Sequence, residues 1–177
     1  MTAPVSLVVD GYHFDFHNVI DAYVFDEKDA NSPHFHGGFM KAVDIIAEFN
    51  DCILFIELKD YRDKEEQFIG KSSDGCKQGT NDALKWLKNY LKYKFRDTYL
   101  YRYAEAGAPK KDIHYICLLS LSSATLQVIK KLLPLELPIG KKGKRWTRIL
   151  AKSCQVVDIN GWNRTLSGYA TVRFEKN

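Results

Sequence analysis

The stretch KAVDIIAEFNDCILFIELKDY, residues 41–61, decides the fold of this chain. Its apolar residues are typical of two short β-strands, near 41–49 and 52–60, with a turn at Asn50-Asp51 between them. Large apolar side chains stand on both faces of both strands over part of their length. A hairpin of this kind lies in the middle of a sheet that is covered on both sides.

The turn also fixes which side chains meet across the hairpin. If it consists of Asn50 and Asp51, the numbers of paired residues sum to 101, and Asp44 lies opposite Glu57. Side chains alternate between the two faces of a strand, so Lys59 shares a face with Glu57. The sequence therefore predicts two carboxylates and an ammonium on one side of an otherwise apolar hairpin.

Predicted strands and helices alternate along the rest of the chain. Strands are predicted at 5–9, near 12–16, and near 113–121, 149–159 and 169–174, and helices near 81–104 and from Ser122 or Ser123 to a point before Pro134. Residues 19–25 fit either a short helix or a helix turn that runs into a strand, and 26–38 and 63–80 are typical of loops. The order predicts one domain over 1–177, of α/β class, with a mixed central sheet flanked by helices.

The predicted helix near 81–104 has two stripes. Its core stripe is formed by apolar side chains at helical spacing, namely Leu84, Leu87, Leu91 and Phe95. An adjacent basic stripe consists of Lys85, Lys88, Lys92 and Arg96. Such a stripe is typical of a solvated face, and contact with nucleic acid is the alternative.

Composition sets the class of protein. Hydrophobic residues are 45% and charged residues 27% of the 177, as in ordinary soluble proteins. The chain has no apolar run of membrane-spanning length and no signal-peptide pattern, so we expect a cytoplasmic protein without a membrane partner. Its four cysteines lack metal-ligand spacing and are expected to be reduced. The net charge of +4 is weak evidence for a nucleic-acid partner.

Two facing carboxylates need neutralisation. Directly opposed side chains on antiparallel strands lie about 5 Å apart at Cβ, and like charges there are destabilising. A shared proton would remove the repulsion between Asp44 and Glu57, and so would Lys59, which lies diagonal to Asp44. A hard divalent cation would do so too, and Mg²⁺ typically takes one or two carboxylates, water and phosphate oxygens. The hairpin supplies that number of carboxylates.

Asp44, twelve further residues, and then Glu57-Leu58-Lys59 after the apolar strand CILFI resemble the motif of the PD-(D/E)xK nuclease superfamily. The resemblance implies a restriction-endonuclease-like αβββαβ core with the motif on its central hairpin. It implies that Asp44 and Glu57 bind Mg²⁺ or Mn²⁺, that the Leu58 carbonyl is a third ligand, and that Lys59 is the catalytic lysine.

The function implied by the resemblance is metal-dependent hydrolysis of phosphodiester bonds in DNA by an endonuclease, with a bacterial restriction or defence system as its setting. A structure-specific nuclease of the Holliday-junction type is one alternative. A non-catalytic module that binds nucleic acid or protein on a nuclease fold is another. Many such nucleases dimerise to cut both strands, which leaves a homodimer open.

The chain departs from the family pattern at three points. Val43 stands where the family name has proline, at a position that varies widely. Asp21 is the best candidate for the acidic residue that is often placed on the first helix. Gln78 and Lys85 are the candidates for the glutamine or lysine on the helix after the hairpin.

A basic segment, KKGKRWTRILAK, is the second candidate site. Its members predicted to contact nucleic acid are Lys141, Lys142, Lys144, Arg145 and Trp146. Basic side chains can hold phosphates and an aromatic ring can stack on a base. The alternative is a solvated loop with one tryptophan folded onto the core. His34 and His36 form a weak zinc signal, and a role within a loop is the favoured interpretation.

Overall fold

The computed structural model describes residues 4–62, 79–107, 109–140 and 143–175. Eight strands and three helices form within these residues. The strands are β1 (Val5–Val9), β2 (Tyr12–Phe16), β3 (Asp21–Val24), β4 (Ile45–Glu48), β5 (Cys52–Asp60), β6 (Asp112–Ser120), β7 (Ser153–Val157) and β8 (Ala170–Phe174). The helices are α1 (Gly79–Ala106), α2 (Ser123–Glu136) and α3 (Ile159–Thr165).

The central sheet has five strands in the order β3-β4-β5-β6-β7. Strand β4 is antiparallel to both β3 and β5, while β5, β6 and β7 are parallel to one another. The predicted mixed sheet is confirmed. A second, antiparallel sheet has the order β1-β2-β8.

The predicted register of the hairpin is confirmed. Ile45 pairs with Ile56 and Ile46 with Phe55, so the paired numbers sum to 101. Strand β4 is shorter than predicted, because it begins at Ile45 and leaves Asp44 one residue outside it. Asp44 has other partners there: its carboxylate accepts the Leu58 N–H at 2.6 Å, and its carbonyl accepts a hydrogen bond from a backbone N–H of the loop after β3.

The two faces of the central sheet have different covers. On one face, Leu54, Ile56 and Leu58 pack against aromatic residues of the smaller sheet and α3, which are Tyr12, Phe14, Phe16 and Trp162. On the other face, the core joins Ile53 and Phe55 to buried residues of α1 and α2, which are Leu87, Leu91, Phe95, Ile129 and Leu133.

The predicted flanking helices therefore account for only part of the cover of the sheet. Helices α1 and α2 cover one face, whereas a sheet and the short helix α3 cover the other. From residue 4 to β3 the chain forms the β1-β2 hairpin and no helix, so the first helix of an αβββαβ core has no counterpart in this stretch. Alternating Tyr12, Phe14 and Phe16 explain this, because period-2 burial stabilises a strand.

The end of one predicted helix was wrong, and one helix was not predicted. Helix α2 continues through Pro134 to Glu136 instead of ending before the proline. Proline withholds one hydrogen bond from the carbonyl four residues earlier, and that residue, Lys130, is exposed to solvent that can hydrate the carbonyl. The strand predicted near 149–159 ends at Val157, and residues 159–165 form α3, which the Asp158 carboxylate caps by accepting the Gly161 N–H at 2.6 Å.

Two expectations from composition can be compared with the structure. Cys52, Cys117 and Cys154 are free thiols, and Cys76 lies outside the described residues. Among the helices of the described ranges, none combines the length and the hydropathy that a membrane span requires.

Candidate active site

The hairpin brings Asp44 and Glu57 to the helical face of the central sheet. Glu57 is 0% exposed in the middle of β5, and Asp44 is 8% exposed just before β4. The N–H of Leu58 donates to Oδ2 of Asp44 at 2.6 Å, which holds this carboxylate across the end of the hairpin. In antiparallel pairing a residue's N–H and C=O point to the same side of its strand, so the Leu58 carbonyl is directed toward the same edge.

Lys59 lies beside Glu57, as predicted. Its Nζ is 3.6 Å from Oε1 of Glu57 and 5.0 Å from the ring centre of Tyr90 on α1. Burial lowers the pKa of Lys59, but Glu57 and Tyr90 raise it by more, so its pKa lies above the ordinary value and the amine stays charged.

A second lysine, Lys94 of α1, is the feature that the sequence prediction missed. Its Nζ lies 3.3 Å from Oε2 of Glu57 and 3.9 Å from Oδ1 of Asp44. It also lies 3.3 Å from Oδ2 of Asp26, which follows β3. Lys94 is 4% exposed. One ammonium thus contacts three carboxylates, and we call Asp26, Asp44, Glu57, Lys59 and Lys94 the acid–lysine cluster.

A signal for Lys94 was present in the helical spacing. Lys94 follows Leu87 by seven residues and Leu91 by three, so it belongs to the core stripe rather than the basic one. Of the two candidates for this helix residue, Lys85 is exposed and does not join the cluster, while Gln78 lies outside the described residues.

Asp21, the candidate for the acidic residue before the hairpin, also lies elsewhere. It begins β3 and pairs with Glu48, at the end of β4 remote from Asp44. Asp26 takes the place that Asp21 was expected to fill, because β3 runs toward Asp44 and delivers the residues after it to the cluster. The ambiguity of residues 19–25 between helix and strand hid this direction.

The charges of the cluster do not balance if every carboxylate is ionised. Burial, and then the neighbouring Asp44, raise the pKa of Glu57 to about 8 against the opposing effect of Lys94 and Lys59. Burial also raises the pKa of Asp44. Burial lowers the pKa of Lys94, but Glu57 and Asp44 outweigh it and keep the ammonium charged. Glu57 is therefore the group that holds a proton near neutral pH.

The hydrogen bonding of Glu57 is incomplete. Its two oxygens are buried, and the ammonium groups of Lys59 and Lys94 approach them only to 3.6 and 3.3 Å, which is longer than a charge-assisted hydrogen bond. A buried acceptor left without a hydrogen bond costs about 1–3 kcal/mol. A closely bound cation is one way to recover that cost.

The residues at the hairpin fit a hard divalent cation. Asp44 and Glu57 offer two carboxylates, Leu58 offers a carbonyl, and Mg²⁺ completes such a set with water and phosphate oxygens. The described ranges contain no group of three or more His, Cys, Asp or Glu side chains placed to hold a metal ion alone. Because Lys94 contacts both carboxylates, an ion at Asp44 and Glu57 would compete with its ammonium.

The basic segment is exposed over its described residues 143–149. Lys144, Arg145 and Trp146 are exposed, and Trp146 retains 46% of its accessible surface. The backbone N–H of Trp146 donates to the Gly143 carbonyl at 2.9 Å within the loop. Lys141 and Lys142 lie outside the described residues. The proposed contact of this segment with nucleic acid stays a prediction.

Two other candidates have packing roles. Lys88 and Lys92 of the basic stripe pair with Glu136 at 3.4 and 3.3 Å, which joins α1 to α2. His34 stacks on Tyr23, and His36 packs against Tyr101 with its ring tilted by 43°, each at 4.2 Å between ring centres. These positions agree with the interpretation of both histidines as loop residues.

Comparisons of the chain with protein-family models, with curated proteins and with solved structures found no match.

Proposed function

We propose that this protein is a Mg²⁺- or Mn²⁺-dependent phosphodiesterase that cleaves nucleic acid internally, with DNA as the first substrate to test. The observation that carries the proposal is the convergence of Asp44 and Glu57 from adjacent antiparallel segments, with the Lys59 amine 3.6 Å from Glu57. The burial of Asp44 and Glu57 argues for a role beyond stability, because an apolar residue in the place of Glu57 would avoid the desolvation of a carboxylate.

The order of elements supports the same class. Strands β3, β4 and β5 form an antiparallel meander, α1 follows, and β6 pairs in parallel with β5. This order agrees with the βββαβ part of the αβββαβ core that the PD-(D/E)xK resemblance implies, and so supports the proposal. Asp44 lies directly before the second strand of the meander, and Glu57 and Lys59 lie on the third.

Each residue has a chemical task in this proposal. Asp44, Glu57 and the Leu58 carbonyl would hold the metal ion, which would supply polarisation of the phosphate and a lowered pKa of a water ligand. Lys59 orients the attacking water or stabilises negative charge that develops on the phosphate. Proton release from Glu57 precedes metal binding, because a ligand carboxylate must be ionised.

The proposal is tested by cleavage assays with plasmid, linear, branched and RNA substrates in Mg²⁺ or Mn²⁺. Asp44→Asn, Glu57→Gln and Lys59→Ala are each expected to abolish metal-dependent cleavage while the circular dichroism spectrum is retained. The matched control is Lys85→Ala, an exposed lysine of α1, which should cleave as the parent does. Unchanged cleavage in any two of the three site variants would refute the assignment.

Lys94 favours a second candidate, a non-catalytic binding module. Its ammonium already neutralises part of the charge of Asp44, Glu57 and Asp26, and such an ion cluster can stabilise one packing of the core without a metal. The two candidates differ in metal response: a phosphodiesterase binds Mg²⁺ or Mn²⁺ through Glu57, and the module does not.

A further inference from the structure

Two aromatic residues on α1 form a surface next to the acid–lysine cluster. Trp86 and Tyr90 are four residues apart, which places them on one face of the helix. Their rings stack at 5.2 Å between centres with an angle of 20°. Trp86 keeps 54% of its surface exposed, an unusual exposure for so large an apolar side chain.

Tyr90 connects this pair to the candidate site. The ammonium of Lys59 lies 5.0 Å from the Tyr90 ring centre, and the same ammonium lies 3.6 Å from Glu57. The exposed Lys41 places its Nζ 4.6 Å from the Tyr90 ring. A ligand that reaches Lys59 from this side therefore meets an aromatic ring and two amines.

Aromatic rings with adjacent amines are the chemistry that recognises single-stranded nucleic acid. Bases stack on aromatic side chains, and the amines hold the phosphates between them. In a duplex both faces of an internal base are already stacked on its neighbours, so a protein ring gains little there. An unpaired base has a free face for Trp86.

We propose that Trp86 and Tyr90, with Lys41 beside them, bind an unpaired base next to the phosphate at Lys59, and that the substrate is single-stranded or locally unpaired nucleic acid. This inference rests on the proposed function for its cleavage consequence. The binding itself requires no metal and no catalysis, so it can be tested separately.

The test uses the fluorescence of Trp86 in the full chain. The sequence has three tryptophans, of which Trp162 is 0% exposed, so Trp146→Phe leaves Trp86 as the exposed fluorophore. This variant is titrated in EDTA with oligo-dT and, separately, with a blunt DNA duplex. We expect strong quenching by oligo-dT and at least tenfold weaker binding of the duplex.

Variants at position 86, made in the natural background, identify the stacking contribution. Stacking is worth about 1–3 kcal/mol per base, so Trp86→Leu should weaken oligo-dT binding about 5- to 100-fold. Trp86→Tyr should restore most of it, and the control Tyr103→Leu, at an exposed aromatic residue near the other end of α1, should change it less than twofold. Polarisation of a labelled oligonucleotide measures all four proteins.

The results separate this inference from the proposed function. Equal quenching by duplex and single strand, or equal binding by Trp86→Leu and the parent, overturns the aromatic surface even if the protein cleaves nucleic acid. Selective quenching by oligo-dT in a protein that never cleaves supports the aromatic surface and contradicts the nuclease.

Discussion

The two faces of strand β5 are equally buried and chemically opposite. Toward the smaller sheet the strand presents Leu54, Ile56 and Leu58, all at most 2% exposed. Toward the helices it presents Phe55 and then Glu57, which is just as buried. The apolar residues toward the smaller sheet are the kind that selection for stability alone would favour. A carboxylate at the same depth adds a desolvation cost, so its presence indicates a selected function, which we propose is metal binding.

The largest effect on stability should follow the loss of Lys94. Lys94→Met leaves three carboxylates without the ammonium they share, and breaking a buried pair in this way costs about 3–5 kcal/mol. Urea unfolding at pH 8 in EDTA measures the change. The control on the opposite face, Leu54→Met, keeps the volume and should cost less than about 1.5 kcal/mol. Equal costs for the two variants would show that the ammonium is dispensable.

An intermediate effect on stability is expected from a change of pH. The pKa of Glu57 rises from an ordinary 4.5 to about 8 on folding, so the folded protein binds more protons than the unfolded chain between those values. The stability linked to this proton is complete below about pH 4.5 and is lost as the pH rises through 8. Glu57→Gln has no such proton.

Melting temperatures at pH 5, 7 and 9 in EDTA test this linkage. The difference between Glu57→Gln and the parent should be small at pH 5 and should grow in favour of the variant up to pH 9. Parallel melting curves across this range would contradict the raised pKa. Leu54→Met again serves as the control, and its difference from the parent should be independent of pH.

The smallest effect on stability concerns the basic segment. Lys144 and Arg145 are exposed, so reversing them together with Lys142 to glutamate should change the free energy of unfolding by less than about 0.5 kcal/mol per residue. If the segment contacts phosphates, the variant should bind DNA more weakly, and its affinity should depend less steeply on salt concentration. An unaltered salt slope would identify a solvated loop.

Whether a feature of the fold or of the candidate site could be predicted from the sequence depends on how far apart in the chain the interacting residues lie. The hairpin register came from a two-residue turn and alternating side chains, which are local signals, and it places Asp44, Glu57 and Lys59 as the structure does. Lys94 and Asp26 join the cluster through the packing of α1 on the sheet and the direction of β3. The helical spacing of Lys94 indicates that it faces the core, but which acids it meets is a tertiary relation that a pattern within one segment does not contain.

Pro134 is a second case in which tertiary packing outweighs a local sequence preference. Proline predicts a helix end because it lacks a donor, yet α2 continues to Glu136. Leu133 and Leu137 are buried against the core on either side of the proline. Their packing and the exposure of Lys130 outweigh the local preference.

Isothermal titration with Mn²⁺ at pH 8 tests the central claim most directly. The account predicts saturable binding to the parent, proton release from Glu57, loss of binding in Glu57→Gln, and tighter binding in Lys94→Met because the competing ammonium is gone. Absence of binding to the parent, with binding only after Lys94 is removed, would contradict the account and identify Lys94 as the permanent counter-ion of a metal-free module.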